Sequence, residues 1–179
     1  RDLLECVDVV VASLPKNFGV TAGGLIATRD ASLHGRLQTA LLESGSGLSA
    51  FDRKLLGLAL QDRVFLEHRI PARQAAVRRL GTALTQQGVP VVQPVGAHCV
   101  LIDIAAIPEF ASLREPIPSF LAWLYVETGI RAAGHNAGMA RNHRLASTVR
   151  LALPLGIEIS EVDEIARRFT AAYADKRNI

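Results

Sequence analysis

The stretch VDVVVASLPKNFGVTAGGLIAT, from Val7 to Thr28, decides the fold. Val7 to Ala12 is a nearly continuous apolar run rich in β-branched residues, which predicts a short strand buried on both faces. Ser13-Leu-Pro-Lys16 breaks this strand, and a glycine-rich loop follows from Gly19 to Gly24. Leu25 to Thr28 predicts a second strand. The stretch therefore places a lysine directly after a buried strand and before a flexible loop.

Lys16 allows two interpretations from its local chemistry alone. At a sheet edge its amine is expected to point inward, where desolvation favours the neutral form that attacks a carbonyl carbon in Schiff-base formation. Pro15 stiffens the turn, and the glycines after it let the backbone pass close to a ligand. The other interpretation is a solvated lysine at the end of a strand. Spacing by itself does not decide between the two.

Two helical patterns follow the second strand. Asp30 is expected to cap the first, which runs to about Leu42. The second is longer and runs from Ser49 to Gln87, where Gly88 ends it. Pro71 lies within that pattern and is expected to kink or restart the helix.

After Gly88 the sequence predicts a smaller mixture of strands and helices. A helix with Pro118 in its first turn is expected to end near Thr128, and Ser160 is expected to open a last amphipathic helix. Four segments have strand-like composition, namely residues 89–93, 99–104, 129–133 and 148–153. The sequence thus predicts an α/β chain with three parts: the end of a large α/β domain over residues 1–60, a connecting helix over 61–88, and a small α+β domain over 89–179.

Composition argues against several classes of function. Seventeen of the twenty basic residues are arginines scattered among acidic residues, and a net charge of +3 is too small to favour nucleic-acid binding. The two cysteines, Cys6 and Cys99, have no metal-ligand spacing, and they are expected to be buried thiols. No apolar run is long enough to cross a bilayer, and no signal-peptide pattern is present, so a cytoplasmic protein is expected.

Four segments in order along the chain resemble the β-eliminating lyases, the group of tyrosine phenol-lyase and tryptophanase. The first is the Lys16 stretch, where Ser13 and Lys16 match the family's serine and its cofactor lysine, and Pro15 replaces the lysine before it. The others are residues 88–103 with Gly96-Ala-His98, residues 125–131 (YVETGIR), and residues 148–154 (TVRLALP). Together they cover almost the whole chain.

The resemblance implies a fold and a cofactor. The fold is the C-terminal portion of a fold-type-I enzyme dependent on pyridoxal 5′-phosphate, and Lys16 would form the Schiff base with that cofactor. Ser13 would donate to the cofactor phosphate. The family also uses a monovalent cation such as K⁺, for which the backbone carbonyl of Thr21 is a possible ligand. The N-terminal half would supply the other cofactor contacts, either on the same polypeptide or on another chain.

Arg150 and His135 are the candidate substrate residues. Arg150 lies within an apolar strand, and by spacing alone it is either an outward or paired structural arginine or a group that binds a carboxylate with its planar fork. The resemblance implies the second role. His135 stands where tyrosine phenol-lyase has a phenol-binding arginine, so it is either a leaving-group contact or an ordinary loop histidine. Arg131 is expected at the rim of the site, and His98 is as compatible with packing as with function.

The resemblance implies α,β-elimination on an aromatic or related L-amino acid, giving pyruvate, ammonia and the leaving group. The protein is expected to be a homo-oligomer and to bind neither nucleic acid nor membrane. Two alternatives stay open at this point. One is another reaction on the same fold, of the aldolase, aminotransferase or desulfhydrase type, which the changed residue at His135 keeps open. The other is a non-catalytic module for cofactor binding or dimerisation.

Overall fold

The computed structural model describes residues 3–134 and 147–176 of the chain. Its backbone divides into two compact units, residues 1–70 and 71–179. The first unit is a small sheet with helices, and the second contains nearly all of the buried apolar side chains. Each unit has its own architecture.

The first unit begins with a short 3₁₀ helix (Leu3–Cys6) and an antiparallel pair of strands. Strand β1 (Val9–Ser13) pairs with β2 (Gly24–Thr28), so that Val9 lies opposite Thr28 and Ser13 lies opposite Gly24. A single helical turn, α1 (Pro15–Phe18), occupies the connection. Both predicted strands are confirmed, each within two residues of the expected ends.

The burial predicted for the first strand is wrong for this chain. Val11 is 74% exposed, and Leu25 and Ile26 of the partner strand are exposed as well. A β-sheet buries its faces only against a second layer of sheet or helix. In the described part of this unit no residue of β1 or β2 is buried, so the apolar composition of Val7 to Ala12 is not matched by burial.

Two capped helices follow, as the sequence predicts. Asp30 caps α2 (Ala31–Glu43), since its carboxylate accepts a hydrogen bond from the backbone N–H of Leu33 at 2.9 Å. Ser49 caps α3 (Ala50–Gln61) in the same way through its hydroxyl. Both N-termini are therefore set by local side-chain chemistry.

The long helical pattern is interrupted at Asp62 and not at Pro71. Helix α3 ends at Gln61, and α4 (Arg63–Gln86) begins where the Asp62 carboxylate accepts a hydrogen bond from the N–H of Phe65 at 2.9 Å. The restart occurs at Asp62 because its carboxylate satisfies a free backbone N–H at the start of the new helix. A proline side chain has no such acceptor. Pro71 lies inside α4, so the restart predicted at this proline is wrong, and the alternative of a kink there stays a prediction.

The second unit contains a three-stranded antiparallel sheet in the order β3-β5-β4. Its strands are β3 (Cys99–Asp103), β4 (Ala133–Gly134) and β5 (Thr148–Ala152). The part of α4 that follows Ile70 also belongs to this unit. The described residues of the unit further form a 3₁₀ turn (Ile104–Ala106) and three more helices: α5 (Pro108–Ala111), α6 (Pro116–Thr128) and α7 (Ile159–Ala174).

Three sequence predictions in this unit need correction. Residues 89–93 form only an isolated bridge, between Val91 and Ile102, because Pro90 and Pro94 lack the N–H groups that a ladder needs. The segment 129–133 is mostly not strand, since Gly129 ends α6 with a φ of 72°. The cap of the last helix is Glu158 with Glu161, and not Ser160.

The hydrophobic core lies in the second unit. Strands β3 and β5 bury alternate residues, Val100 and Ile102 on one and Val149 and Leu151 on the other. Aromatic rings add to this core, with Phe110 packed edge-on against Phe120 at a centroid distance of 5.0 Å. On the surface, Arg79 of α4 forms a two-point ion pair with Asp163 of α7, at 2.6 and 2.8 Å.

Candidate active site

The Lys16 turn is anchored by its neighbour Leu14, which is only 2% exposed. The N–H groups of Asn17 and Phe18 donate to the carbonyl of Leu14 at 3.1 and 3.0 Å, which closes the helical turn. The N–H of Leu14 donates in turn to the carbonyl of Gly23 at 3.1 Å, where the chain returns. The lysine is therefore held on a short, fixed loop by a buried residue two positions before it.

Two glycines shape the loop after the lysine. Gly19 ends α1 with a φ of 65°, a conformation that side chains disfavour. Gly23 has a φ of 132°, and a Cβ there would lie 3.6 Å from Leu14 Cδ1 and from Leu56 Cδ2. The glycine-rich segment is thus needed for the turn itself, which accounts for part of the pattern without any ligand.

The Lys16 side chain is exposed, which corrects the expectation that its amine points inward. Ser13 at the end of β1 and Thr21 in the loop are also exposed. The donors offered by this turn are a primary amine and a hydroxyl three residues apart. An amine that condenses with an aldehyde, next to a hydroxyl that donates to phosphate oxygens, is a chemical match for pyridoxal phosphate.

Arg150 lies in the middle strand of the second unit's sheet. It is half-buried and stands opposite Leu101 of β3 and Ala133 of β4. Its neighbours Val149 and Leu151 point into the core, so the alternation of a strand directs Arg150 to the other face. Among the described residues no carboxylate is within ion-pair distance of its guanidinium, so the structure gives no support to a paired structural role.

The remaining candidates divide between described and undescribed residues. His98 is half-buried at the start of β3, and its carbonyl accepts a hydrogen bond from the N–H of Leu153 at 2.9 Å. Arg131 is exposed just after α6. His135 lies outside the described residues. Lys16 belongs to the first unit, and Arg150, His98 and Arg131 belong to the second.

The sequence analysis did not single out Arg73 of α4, which is 4% exposed. Burial lowers the pKa of its guanidinium, and the electrostatic interaction with Cys99 at the head of β3 offsets part of that effect. Arg73 lies on the same helix face as the buried Ala76, Val77 and Leu80. The helical period of these apolar residues could therefore have predicted that Arg73 is buried.

Two kinds of site are absent from the described part of the chain. No three His, Cys, Asp or Glu side chains in residues 3–134 and 147–176 are grouped to hold a metal ion. Within the same residues, every helix is too short or too polar to span a membrane.

Comparison with known proteins gives a consistent result. Residues 1–167 match the model of the β-eliminating lyase family. A probable tryptophanase of Aeropyrum pernix is 38% identical over an alignment of 146 positions, which covers 76% of this chain and 30% of that protein. Tyrosine phenol-lyase of Clostridium tetani is 30% identical over an alignment of 197 positions, gaps included, which covers 100% of this chain and 42% of that enzyme. The chain therefore spans less than half the length of these relatives.

Solved structures give the fold. An aromatic aminotransferase from Pyrococcus horikoshii superimposes with a TM-score of 0.67 at 16% identity, covering 96% of this chain and 44% of that one. At this identity the likeness shows the fold alone. The predicted fold class, a fragment of a fold-type-I pyridoxal-phosphate enzyme with mixed helix and sheet, is confirmed.

Proposed function

The chain belongs to the β-eliminating lyase family, and from that premise we propose that it is the C-terminal portion of a pyridoxal-phosphate-dependent carbon–carbon lyase in which Lys16 binds the cofactor. The proposed reaction converts an aromatic or related L-amino acid and water into pyruvate, ammonia and the protonated leaving group. The bond between Cβ and the leaving group breaks, and the leaving group takes up a proton. The complete enzyme would carry out this reaction with its N-terminal half.

The observation that carries the proposal is the Lys16 turn. An exposed amine stands on a turn that the buried Leu14 and the hydrogen bond from Leu14 N–H to the Gly23 carbonyl hold in place. Ser13 lies three residues before it with an exposed hydroxyl. Positioning of this kind reduces the entropy that a catalytic amine loses when it reacts.

Pyridoxal phosphate, when bound, supplies an electron sink for the charge that develops at the substrate Cα. Lys16 would bind the cofactor through its ε-amine and, once displaced by substrate, take the proton from Cα. Arg150 would hold the substrate carboxylate with its planar fork, which fixes the orientation of the Cα–H bond. Its position on the sheet face opposite the core supports this role, because Arg150 is only half-buried there.

Three further residues complete the proposed site. Ser13 would donate to the cofactor phosphate, and the carbonyl of Thr21 would be one ligand of a K⁺ ion. His135 would contact the leaving group and so set the substrate preference. We also propose that the complete protein is a homo-oligomer, as the resemblance to the lyases implies, and that it is cytoplasmic and binds neither membrane nor nucleic acid.

The proposal is tested on the full-length protein by replacing Lys16 with alanine, with Lys54→Ala as the matched control on α3. The unchanged protein and Lys54→Ala should bind pyridoxal phosphate with a visible absorption band, and borohydride should fix the cofactor on the peptide that contains Lys16. Lys16→Ala should lose both signals and about 10³-fold or more in turnover, since it removes the group that moves the proton. A colourless parent protein, or full activity in Lys16→Ala, would contradict the proposal.

Product analysis separates elimination from other reactions on the same fold. Tyrosine, tryptophan and S-substituted cysteines should yield pyruvate and ammonia in equal amounts. A keto acid that retains the substrate side chain would instead indicate transamination, and glycine with an aldehyde would indicate an aldolase. Replacing His135 with arginine should raise the preference for tyrosine; an unchanged preference would remove His135 from the leaving-group site.

A further inference from the structure

A groove of about 620 Å³ lies between α6 and α7 in the second unit and contains none of the residues assigned to cofactor or substrate. Trp123 and Glu127 line it from α6, one helical turn apart. Helix α7 lines it with two arginines and two alanines, Arg167, Arg168, Ala171 and Ala172, and Asp175 lines it from the position just after that helix. Two alanines at this position leave a space that larger side chains would fill. We call this space the interhelical groove.

The indole of Trp123 is held in place beside the groove. Its ring packs against Phe110 and Phe120 with centroid distances of 5.2 and 5.4 Å. Because the core fixes the ring from behind, the half-buried indole offers a preformed aromatic surface to the groove. Aromatic surfaces of this kind attract cations through their quadrupole.

The charges around the interhelical groove favour a cation as well. The groove is lined by the guanidinium groups of Arg167 and Arg168 and by the carboxylates of Glu127 and Asp175, whose charges sum to zero. Both guanidinium groups are already paired with a carboxylate beside the groove, because Glu164 accepts from Arg167 at 2.7 and 2.8 Å and from Arg168 at 2.7 Å. These hydrogen bonds, that of Arg167 first, lower the pKa of Glu164 to about 2. Among the described residues, the carboxylates of Glu127 and Asp175 have no hydrogen-bond or ion-pair partner, so the five groups, Glu164 included, carry a net charge of −1.

We propose that the interhelical groove is a second binding site, for a small organic cation that carries primary ammonium groups on an aliphatic chain. Glu127 and Asp175 supply the carboxylates for the ammonium groups, and Trp123 supplies the surface against which the chain lies. The last turns of α6 and α7 add the partial negative charge of helix C-termini. An anion would have to sit beside two uncompensated carboxylates, which disfavours it.

Trp123 provides a direct measurement, because it is the only tryptophan of the chain. The 179-residue chain is titrated with 1,4-diaminobutane at constant ionic strength while the tryptophan emission is recorded. A saturable change in emission is expected, with no such change from the neutral analogue 1,4-butanediol or from acetate. No saturable change with the diamine, or an equal response to butanediol or acetate, would overturn the proposal.

Substitutions locate the site. Glu127→Gln and Asp175→Asn should each weaken diamine binding about two- to fivefold, as expected for loss of one exposed charge pair, and the double variant should lose saturable binding. Glu115→Gln, at the other end of α6, is the matched control and should bind as the unchanged chain does. The amides are close in size to the acids, and far-UV circular dichroism checks that each variant is folded. Unchanged affinity in the double variant would refute the assignment of the groove.

Discussion

At the residue scale, the residue that anchors the Lys16 turn is not the residue that is proposed to react. Leu14 is buried and makes the backbone hydrogen bonds that hold the turn, while Lys16 two positions later is exposed. The backbone hydrogen bonds that hold the turn do not involve the Lys16 side chain, so the turn does not depend on burial of the lysine. Variants at Lys16 therefore test the proposed cofactor chemistry, with circular dichroism as the check that each variant is folded.

The role proposed for Arg150 makes a kinetic prediction for the full-length enzyme. Arg150→Lys keeps the charge but loses the planar fork, so the KM for the amino acid should rise about 10- to 100-fold, which corresponds to about 1.5–3 kcal/mol for hydrogen bonds to a charged group. Steady-state kinetics with a fixed amino acid provides the measurement. Arg78→Lys on the exposed face of α4 is the control and should leave KM unchanged.

The outcome against this role is also specific. If Arg150→Lys changes thermal stability but leaves KM unchanged, the arginine is structural. That was the other interpretation that its position in an apolar strand left open. A fall in turnover with KM unchanged would indicate that the residue acts on the reaction step and not on carboxylate binding.

At the element scale, α4 packs closely against the loop before β3. Gly81 is buried on this helix, and a Cβ there would lie 2.7 and 2.8 Å from the two Cγ atoms of Val95. Glycine inside a helix has an entropic cost relative to alanine, so the residue is explained here by the close approach and not by helix propensity. The 3.6-residue period does not reveal this contact, since Val95 lies outside any helix.

Alanine at Gly81 is therefore expected to destabilise the second unit by about 1–3 kcal/mol, because Val95 and the helix must move apart. The matched control is Gly57→Ala on α3, where a Cβ would meet nothing within 4 Å. This substitution should raise the free energy of unfolding by about 0.5–1 kcal/mol, because alanine has the higher helix propensity. Urea unfolding of the two variants measures both changes. A higher unfolding midpoint for Gly81→Ala would show that the contact with Val95 relaxes without cost.

At the scale of the whole molecule, the two units differ in how much apolar surface they bury. Leu14 is the only buried hydrophobic residue among the described residues of the first unit, whereas the second unit contains a continuous core. The first unit instead exposes large apolar side chains: Leu42 is 79% exposed and Phe51 is 71% exposed. Exposed apolar surface on this scale is characteristic of an interface with further protein.

Residues 71–179 are expected to fold alone with a cooperative unfolding transition that Trp123 emission follows, and residues 1–70 alone are not. The reason is that hydrophobic burial must offset the conformational entropy of the chain, and only the second unit has the core to do so. Urea titrations of the two fragments, followed by circular dichroism, provide the measurement. A cooperative transition in residues 1–70 without one in residues 71–179 would contradict this assignment.

The sequence by itself determined the parts of this protein that depend on neighbours in the chain. Asp30 and Ser49 were identified as helix caps because a cap involves residues three positions apart, and the Lys16 segment was identified because its glycines and serine are local. The family resemblance, now shown over residues 1–167, came from such segments. The roles of Lys16, Ser13, Thr21, His135 and Arg150 remain proposals.

The tertiary structure decided what depends on residues far apart in sequence. The face of Arg150 follows from its pairing with Leu101 and Ala133. The exposure of Lys16 and of β1 depends on how little the described residues of the first unit bury, which no local pattern contains. The interhelical groove joins residues of α6 and α7 whose separate patterns predict only two amphipathic helices. Packing, burial and charge balance depend on many contacts between residues that are far apart in sequence, and a local sequence pattern does not reveal those contacts.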